Sequence, residues 1–294
     1  MNFKSVGILS IGEMGYHWAR VLGAHGVKVF TFAEGRSGAT RERACTVGVE
    51  LLPTLDELVS KVDLIVSIVV PSAAKSVAEQ VSQALTRNGR TDLLYMDANA
   101  ISPMTADALG RTIGQTGAIY VDGCIIGGAS KLDQGTVVYV SGPQADRLSA
   151  LNESGLQIKV LGTGATQASA FKIIHAGLSK GLAALFTELL VGANALGLLH
   201  EALDDYEENY PGLLQKISNS IASLPMHAKR RSEEMVELRE TFNFYGVKPV
   251  LVPSVETLLK KIADLDGGQP SLPGTHRATL PETIRLLSDR NFLR

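Results

Sequence analysis

The sequence predicts an α/β protein. An N-terminal doubly wound parallel sheet is followed by an all-α C-terminal domain, and a long helix joins the two. Three observations carry this. Short apolar runs alternate with amphipathic stretches over the first 160 or so residues, the pattern of strands joined by crossover helices. The run DLIVSIVV at 63–70 is almost wholly apolar and β-branched, as in a parallel strand covered on both faces. After Gly164 the pattern switches to a long proline-free stretch, 165–203, of high helix propensity.

Taken in order, strands are expected at 5–9, 28–32, 49–51, 63–70, 93–97, 118–122, 137–141 and 159–161. Helices are expected between them at 15–25, 41–44, 55–60, 73–85 and 103–116. Beyond the long helix, further helices are expected at 213–224, 226–245, 255–264 and 280–289, with the GGQPSLPG segment, 267–274, as a loop. A chain of 294 residues is long enough for two domains, divided here as 1–164 and 165–294.

Composition narrows the function. Hydrophobic residues make up 45% and charged residues 20%, ordinary for a protein with a sizeable core. A formal net charge of −2 offers no electrostatic case for nucleic acid or an acidic membrane surface, so a small-molecule partner is expected. Two cysteines, Cys45 and Cys124, exclude a disulfide framework and point to a reducing compartment. The N-terminal MNFKSVGIL enters a strand pattern at once and does not read as a signal peptide. The most apolar stretch, 181–199, has Glu188 in its middle and reads as a buried helix rather than a membrane span. A cytoplasmic protein is expected. No Cys/His spacing suggests zinc, and no metal is expected.

Where the first strand meets the first helix the chain reads Val6-Gly-Ile-Leu-Ser-Ile-Gly-Glu-Met-Gly15. Ser10, Gly12 and Gly15 fall in the three glycine positions of a dinucleotide-binding turn, with Ile11, Glu13 and Met14 between them. The second glycine lets backbone approach a pyrophosphate, and the third lets the helix pack close to the strand. The helix N-terminus offers free N–H groups and the positive end of its dipole. Ser10 obliges the turn to accept a Cβ. Glycine-rich turns between strand and helix are common; the position of this one, in the first βα unit, makes it a candidate Rossmann-type site.

An acidic residue at the end of the second strand would hold a ribose 2′-hydroxyl, whereas an arginine suits a 2′-phosphate. The chain has Thr31-Phe-Ala-Glu-Gly-Arg36-Ser37 there. Arg36 can clamp a phosphate bidentately and Ser37 can donate to it, while Glu34 pulls the other way. NADP is favoured over NAD.

Further segments extend a resemblance. Residues 10–15 resemble the G-x-G-x-M-G turn of the β-hydroxyacid dehydrogenase and 6-phosphogluconate dehydrogenase superfamily. Gly35-Arg36-Ser37 is similar to its 2′-phosphate-binding Asn-Arg-Thr. Val69-Val70-Pro71-Ser72 resembles its Leu-Pro loop along the cofactor. Asp97-Ala-Asn99-Ala-Ile-Ser-Pro103 resembles Asp-x-Ser-Thr-x-x-Pro, with Asn99 in the position near the nicotinamide. Asp122-Gly-Cys-Ile-Ile-Gly127-Gly128 resembles the substrate-binding loop Asp-Ala-Pro-Val-Ser-Gly-Gly. Gly162-Thr-Gly164 and then Lys172-Ile-Ile-His175-Ala-Gly177 resemble the catalytic helix. The resemblance spans roughly 5–180, and a 6-phosphogluconate dehydrogenase-like branch, with its own helical C-terminal domain, is similar at 227–235 as well.

The resemblance implies Lys172 as general acid/base, Gly127, Gly128 and His175 as substrate contacts, a carboxylate substrate, and a homodimer formed through the helical domain. The departures count too. Ile126 replaces a carboxylate-binding serine, Ala176 an asparagine and Ser179 a glutamate that acts as an acid in 6-phosphogluconate dehydrogenase. A decarboxylating mechanism of that type, and 6-phosphogluconate as substrate, are not expected.

The residues themselves agree with hydride-transfer chemistry. Oxidising an alcohol requires removal of its hydroxyl proton, which a lysine can take if burial lowers its pKa. The neighbours of Lys172, from Ala168 to Ile174, are small or apolar, and His175 lies three residues on, on the same helix face. Against this stand bland readings. Most helix lysines are solvated, a lone histidine is commonly structural, and Gly127-Gly128 can simply mark a bend. His17, Trp18 and Cys124 read as packing residues. Lys229, Arg230 and Arg231 read as a wet helix face that could also reach an acidic substrate. Two alternatives remain: an imine reductase-like enzyme, which Ile126 and Ala176 allow and Lys172 disfavours, and a non-catalytic dinucleotide-binding scaffold.

Overall fold

The computed structural model describes residues 3–265 and 278–290; the expected loop at 267–274 lies outside them. The chain divides into two compact units, Met1–Lys172 and Ile173–Arg294.

The first unit is built on an eight-stranded sheet: β1 (Ser5–Ile8), β2 (Lys28–Phe32), β3 (Glu50–Leu52), β4 (Leu64–Ser67), β5 (Leu94–Asp97), β6 (Ile119–Ile126), β7 (Val137–Ser141) and β8 (Ile158–Gly162). Its strand order is β3-β2-β1-β4-β5-β6-β7-β8. Helices α1 (Glu13–Ala24), α2 (Gly38–Thr46), α3 (Leu55–Lys61), α4 (Ala74–Asn88) and α5 (Pro103–Gly114) make the crossovers. Side chains alternate between the two faces. Val6, Ile8, Val66, Met96 and Val121 pack with Trp18 and Leu22 of α1, whereas Ile65, Tyr95 and Tyr120 pack with α3, α4 and α5. Trp18 is fully buried, as its packing reading requires.

The helix starts follow from local chemistry. The Thr54 and Ser102 hydroxyls accept from the backbone N–H of Glu57 and Thr105, capping α3 and α5, and Pro103 presets the first turn of α5.

Two strands differ from expectation. β4 stops at Ser67 rather than 70, because the next residues leave the ladder: the Val69 N–H donates to the Asn99 side chain (2.6 Å) and Pro71 opens a 3₁₀ turn. β6 runs on to Ile126 rather than ending at 122. The segment 122–126, similar to a substrate loop in sequence, is therefore strand, and Gly127 and Gly128 open the connection 127–136, which includes a 3₁₀ turn at Ala129–Lys131. That connection reverses the chain, so β7 pairs antiparallel with β6, an exception in an otherwise parallel sheet. At Gly127, φ is +134° and an added Cβ would stand 2.3 Å from Thr136 Oγ1, so the reversal requires glycine.

The second unit is helical. α6 (Gln167–Ala195) begins in the first unit and runs into the second, followed by α7 (Leu199–Asn209), α8 (Leu213–Ala222), α9 (Leu224–Phe244), α10 (Leu251–Asp264) and α11 (Leu280–Asp289). The long helix expected at 165–203 is broken before α7. Gly197 adopts φ +75° and the Leu198 N–H reaches back to the Ala193 carbonyl (2.8 Å), a Schellman-type stop. The core gathers Phe186, Leu190, Ile221, Leu238, Leu259 and Ile284. α6 is long and apolar enough to cross a membrane by length and composition alone. The expectation of a buried helix here is met on one face only. Phe186, Leu190 and Val191 point into the core, while Leu178, Leu185 and Leu189 are exposed, because the helix is apolar on both sides and one side packs.

Candidate active site

β1 and β4 are neighbours from which the sheet grows in opposite directions. The crevice beyond their carboxyl ends is where open α/β sheets hold ligands. The Ser10–Gly15 turn sits at this crevice. Ile11 is fully buried and anchors the turn, Ser10 and Met14 are half-buried, and Glu13 is exposed. At Gly15 an added Cβ would stand 2.0 Å from the Ser10 carbonyl oxygen, so α1 can approach the strand only with glycine there. Gly12 occupies the N-cap of α1 and offers no side-chain cap, leaving the first-turn N–H groups to another acceptor. A Cβ on Gly12 would meet only Ser10 Oγ, at 3.9 Å. A bare, side-chain-free helix N-terminus at a topological switch point fits a pyrophosphate, and Ser10 in the first position does not obstruct it.

Next to this turn, at the end of β2, the Glu34–Gly35 bend is held by Ala33 and Glu34 N–H bonds to the carbonyls of Leu52 (2.8 Å) and Pro53 (3.2 Å). Gly35 takes φ +68°. Arg36 then lays its guanidinium over the Phe32 ring, 4.2 Å from the centroid, and its half-buried position lowers its pKa from the usual value. Stacking fixes the plane of a planar cation and leaves its edge for an oxyanion. Ser37 caps α2, its Oγ accepting from Thr40 N (3.3 Å) and bonding Thr40 Oγ1 (3.0 Å). The hydroxyl that the sequence offers to a phosphate is thus already engaged in the helix start. Glu34 is exposed.

On the other side of the crevice, Val70 and Pro71 are exposed above β4. Asn99 is buried, and its side chain is committed to protein partners. It donates to Ser67 Oγ (3.1 Å) and Asp97 Oδ2 (2.9 Å), and accepts from Val69 N. Asn99 thereby ties the tops of β4 and β5 together and supports the 69–71 segment. Burial pushes the Asp97 carboxyl up to about 7 against the opposing hydrogen bonds from Asn99, with the Asp122 charge adding to the rise.

Lys172 lies in α6, half-buried, and its Nζ donates to the Ile125 carbonyl of β6 (3.3 Å). Ile125 stands two residues before Gly127. Gly128 has open space where a Cβ would be, and its carbonyl accepts from Thr136 Oγ1 (2.7 Å). Cys124 is buried, and burial pushes its thiol up to about 12, so it is no nucleophile. Arg36, the glycine turn, Val70-Pro71, Asn99 and the Lys172–Ile125 contact therefore follow one another along the carboxyl edge of a single sheet, in the order β2, β1, β4, β5, β6. His175 and Ser179 lie further along α6, in the second unit, and are exposed.

The basic cluster on α9 is partly absorbed by packing. Arg231 donates to Ser220 O (2.7 Å) and Ser223 Oγ (2.9 Å) at the end of α8, and Arg230 pairs with Glu234, which also pairs with Lys180. Sequence reasoning passed over the partners of Asp122. Its carboxylate accepts from Ser169 Oγ (2.6 Å) and Ser169 N (2.8 Å), and from Ser141 Oγ (3.4 Å). Asp122 was visible within a motif, but no spacing connects it to Ser141 or Ser169.

A doubly wound sheet with a glycine turn at its switch point defines a dinucleotide-binding α/β protein. The chain belongs to the family described as the NAD binding domain of 6-phosphogluconate dehydrogenase, whose model matches residues 5–154; a domain of unknown function matches 193–262. A solved conserved protein of unknown function, described as structurally similar to 3-hydroxyacid dehydrogenases, is 30% identical, with a TM-score of 0.77 over 88% of this chain and 97% of that one. An uncharacterised 28.5 kDa protein of Methanothermus fervidus is 28% identical over 81% of this chain and 91% of its own. The Mycobacterium tuberculosis 3-hydroxyisobutyrate dehydrogenase shares the fold at 16% identity, with a TM-score of 0.75 over 98% and 99% of the two chains. Imine reductases share this fold as well.

Proposed function

We propose that the chain is an NADP-linked oxidoreductase acting on the CH–OH group of a small hydroxy acid, or reducing the matching carbonyl, with Lys172 as general acid/base. The observation that carries this reading is the tether of Lys172 Nζ to the Ile125 carbonyl, two residues before the Gly127-Gly128 turn on the same sheet edge as the dinucleotide crevice. When bound, the nicotinamide exchanges a hydride with the substrate carbon. The part of Lys172 is to take the hydroxyl proton during oxidation, or to return one to the oxygen during reduction. Ser10 to Gly15 cradle the pyrophosphate, Arg36 meets the 2′-phosphate and Val70-Pro71 line the cofactor. Asn99 acts there through its support of that loop. Gly127, Gly128 and His175 face the substrate, probed first as a carboxylate.

NADP is preferred because Arg36 is stacked and oriented on Phe32, while Glu34 is exposed. The imine reductase reading draws on Ile126 and Ala176, and a lysine held at the sheet edge weighs against it. We place the enzyme in the cytoplasm. We also assign it a homodimer, in which a second copy covers Ile174, Leu178, Leu185 and Leu189, exposed along one side of α6; light scattering of the purified protein tests that state.

Fluorescence titration with NADPH and NADH, on wild type and Arg36→Ala, tests the cofactor assignment. The expected result is NADPH binding that the substitution weakens selectively. Failure of both nucleotides to bind at roughly millimolar concentration, the upper end of ordinary enzyme affinities, overturns the dehydrogenase reading, whereas binding without turnover of any hydroxy acid leaves the scaffold reading. With cofactor bound, a screen of hydroxy acids against Lys172→Ala should show turnover reduced about 10²–10⁴-fold in the variant, with NADPH affinity unchanged.

A further inference from the structure

Ser67, Asp97, Asp122 and Ser141 stand in register across β4, β5, β6 and β7, each with no exposed surface. They form a polar row through the top of an otherwise apolar sheet. One end of the row is closed by Asn99. The other end meets the first turn of α6, where Ser141 Oγ accepts from Ala168 N (2.9 Å) and Asp122 takes both the hydroxyl and the N–H of Ser169. Ser169 and Lys172 are three residues apart on one helix and fall on the same side. Asp122 and Ile125 are three residues apart on β6. The helix is thus fastened to the strand at two points, Asp122 to Ser169 and Ile125 to Lys172, and the first sets the height of the second.

We propose that Asp122, acting through Ser169 and Ser141, is a positioning residue that fixes the depth and exposure of the Lys172 amine at the sheet edge. The inference rests on the reading of Lys172 as acid/base. A helix start needs no buried carboxylate: a serine or threonine cap does the same work at the starts of α3 and α5. Here a carboxylate is buried against its solvation preference, pushed up to about 6 by that burial. In return it holds the helix by two charge-assisted bonds from one residue, a stiffer anchor than a single hydroxyl cap. A loosened first turn lets Lys172 exchange the Ile125 carbonyl for water.

The test needs no substrate. The full chain is labelled with trinitrobenzenesulfonate across pH 7–10, and the peptides carrying Lys172 and the exposed Lys216 are followed by mass spectrometry. Ser169→Ala is expected to raise the Lys172 labelling rate about tenfold, the effect of a moderate change in amine pKa and access, with Lys216 unchanged. Ser169→Thr, which keeps the hydroxyl, is expected to restore it. A folded Ser169→Ala protein whose Lys172 labels at the wild-type rate throughout overturns the proposal. If that variant does not fold, Asp122→Asn, which keeps the shape of the side chain but loses its charge and one of the two acceptors for Ser169, carries the same expectation and the same refutation. Turnover surviving in Lys172→Ala would instead sink the acid/base reading while leaving the labelling result standing.

Discussion

Single atoms decide whether the dinucleotide turn exists. A methyl at residue 15 would collide with the Ser10 carbonyl oxygen at 2.0 Å, and backbone on both sides cannot yield cheaply. Gly15→Ala is therefore expected to cost about 1–3 kcal/mol, as overpacking does, and to abolish NADPH binding. Urea unfolding with nucleotide titration checks both, and a variant that binds NADPH normally would refute the assigned geometry. The two cysteines separate by burial in the same way. Cys45 is exposed, whereas Cys124 is buried with its thiol pushed up to about 12. At pH 8 an aromatic disulfide reagent should modify Cys45 in the native protein and reach Cys124 only after unfolding; rapid modification of both would contradict the packing of β6.

Elements show how one side chain can serve another's ends. The last carbonyls of α8 lack intrahelical partners, and Arg231 of α9 satisfies one while binding the Ser223 hydroxyl. A cluster legible as a wet charged face is in part the clasp between two helices. Arg231→Met, similar in length and without charge, is expected to destabilise the helical unit by about 1.5–3 kcal/mol, the range for hydrogen bonds to charged groups. NADPH affinity should be unaffected. An unchanged denaturation midpoint would show the clasp to be dispensable. The hairpin of β6 and β7 carries a related lesson. Apolar Cys124, Ile125 and Ile126 extend the strand, and Gly127 at φ +134° lets it reverse, which brings Lys172 its Ile125 partner.

For the molecule as a whole, the buried carboxylates govern stability against pH. Asp97 and Asp122 are raised to about 7 and about 6, from an ordinary value of 3.8, chiefly by burial. The folded state therefore holds protons that the unfolded chain releases. Their contribution is full below the ordinary value and is lost as pH rises through the folded values. Asp56 and Asp92, held low by Arg87 and Arg90, have the opposite sign, but they act near and below 3.8, and Asp92 is exposed and Asp56 partly so. Stability is thus expected to fall between about pH 4 and 7, and Asp97→Asn should flatten that fall. Thermal unfolding from pH 4.5 to 8 measures it; identical slopes for the two proteins would count against the buried pair as its origin.

The sequence by itself determined what depends on neighbours along the chain. Alternating apolar periods, the DLIVSIVV run and the switch after Gly164 specify a doubly wound sheet followed by helices, because burial of regular elements leaves a periodic trace. The glycine turn was legible because Gly15 is required by local backbone approach and Gly12 keeps the helix start bare of side chain. The tertiary structure alone decided what depends on strands meeting side by side. These are the antiparallel return of β7, the commitment of Asn99 to Ser67 and Asp97, and the Asp122–Ser169 bond, which spans 47 residues. Such contacts are set by sheet order and register, and a hydrogen bond across the sheet leaves no periodicity in the chain from which it could have been read.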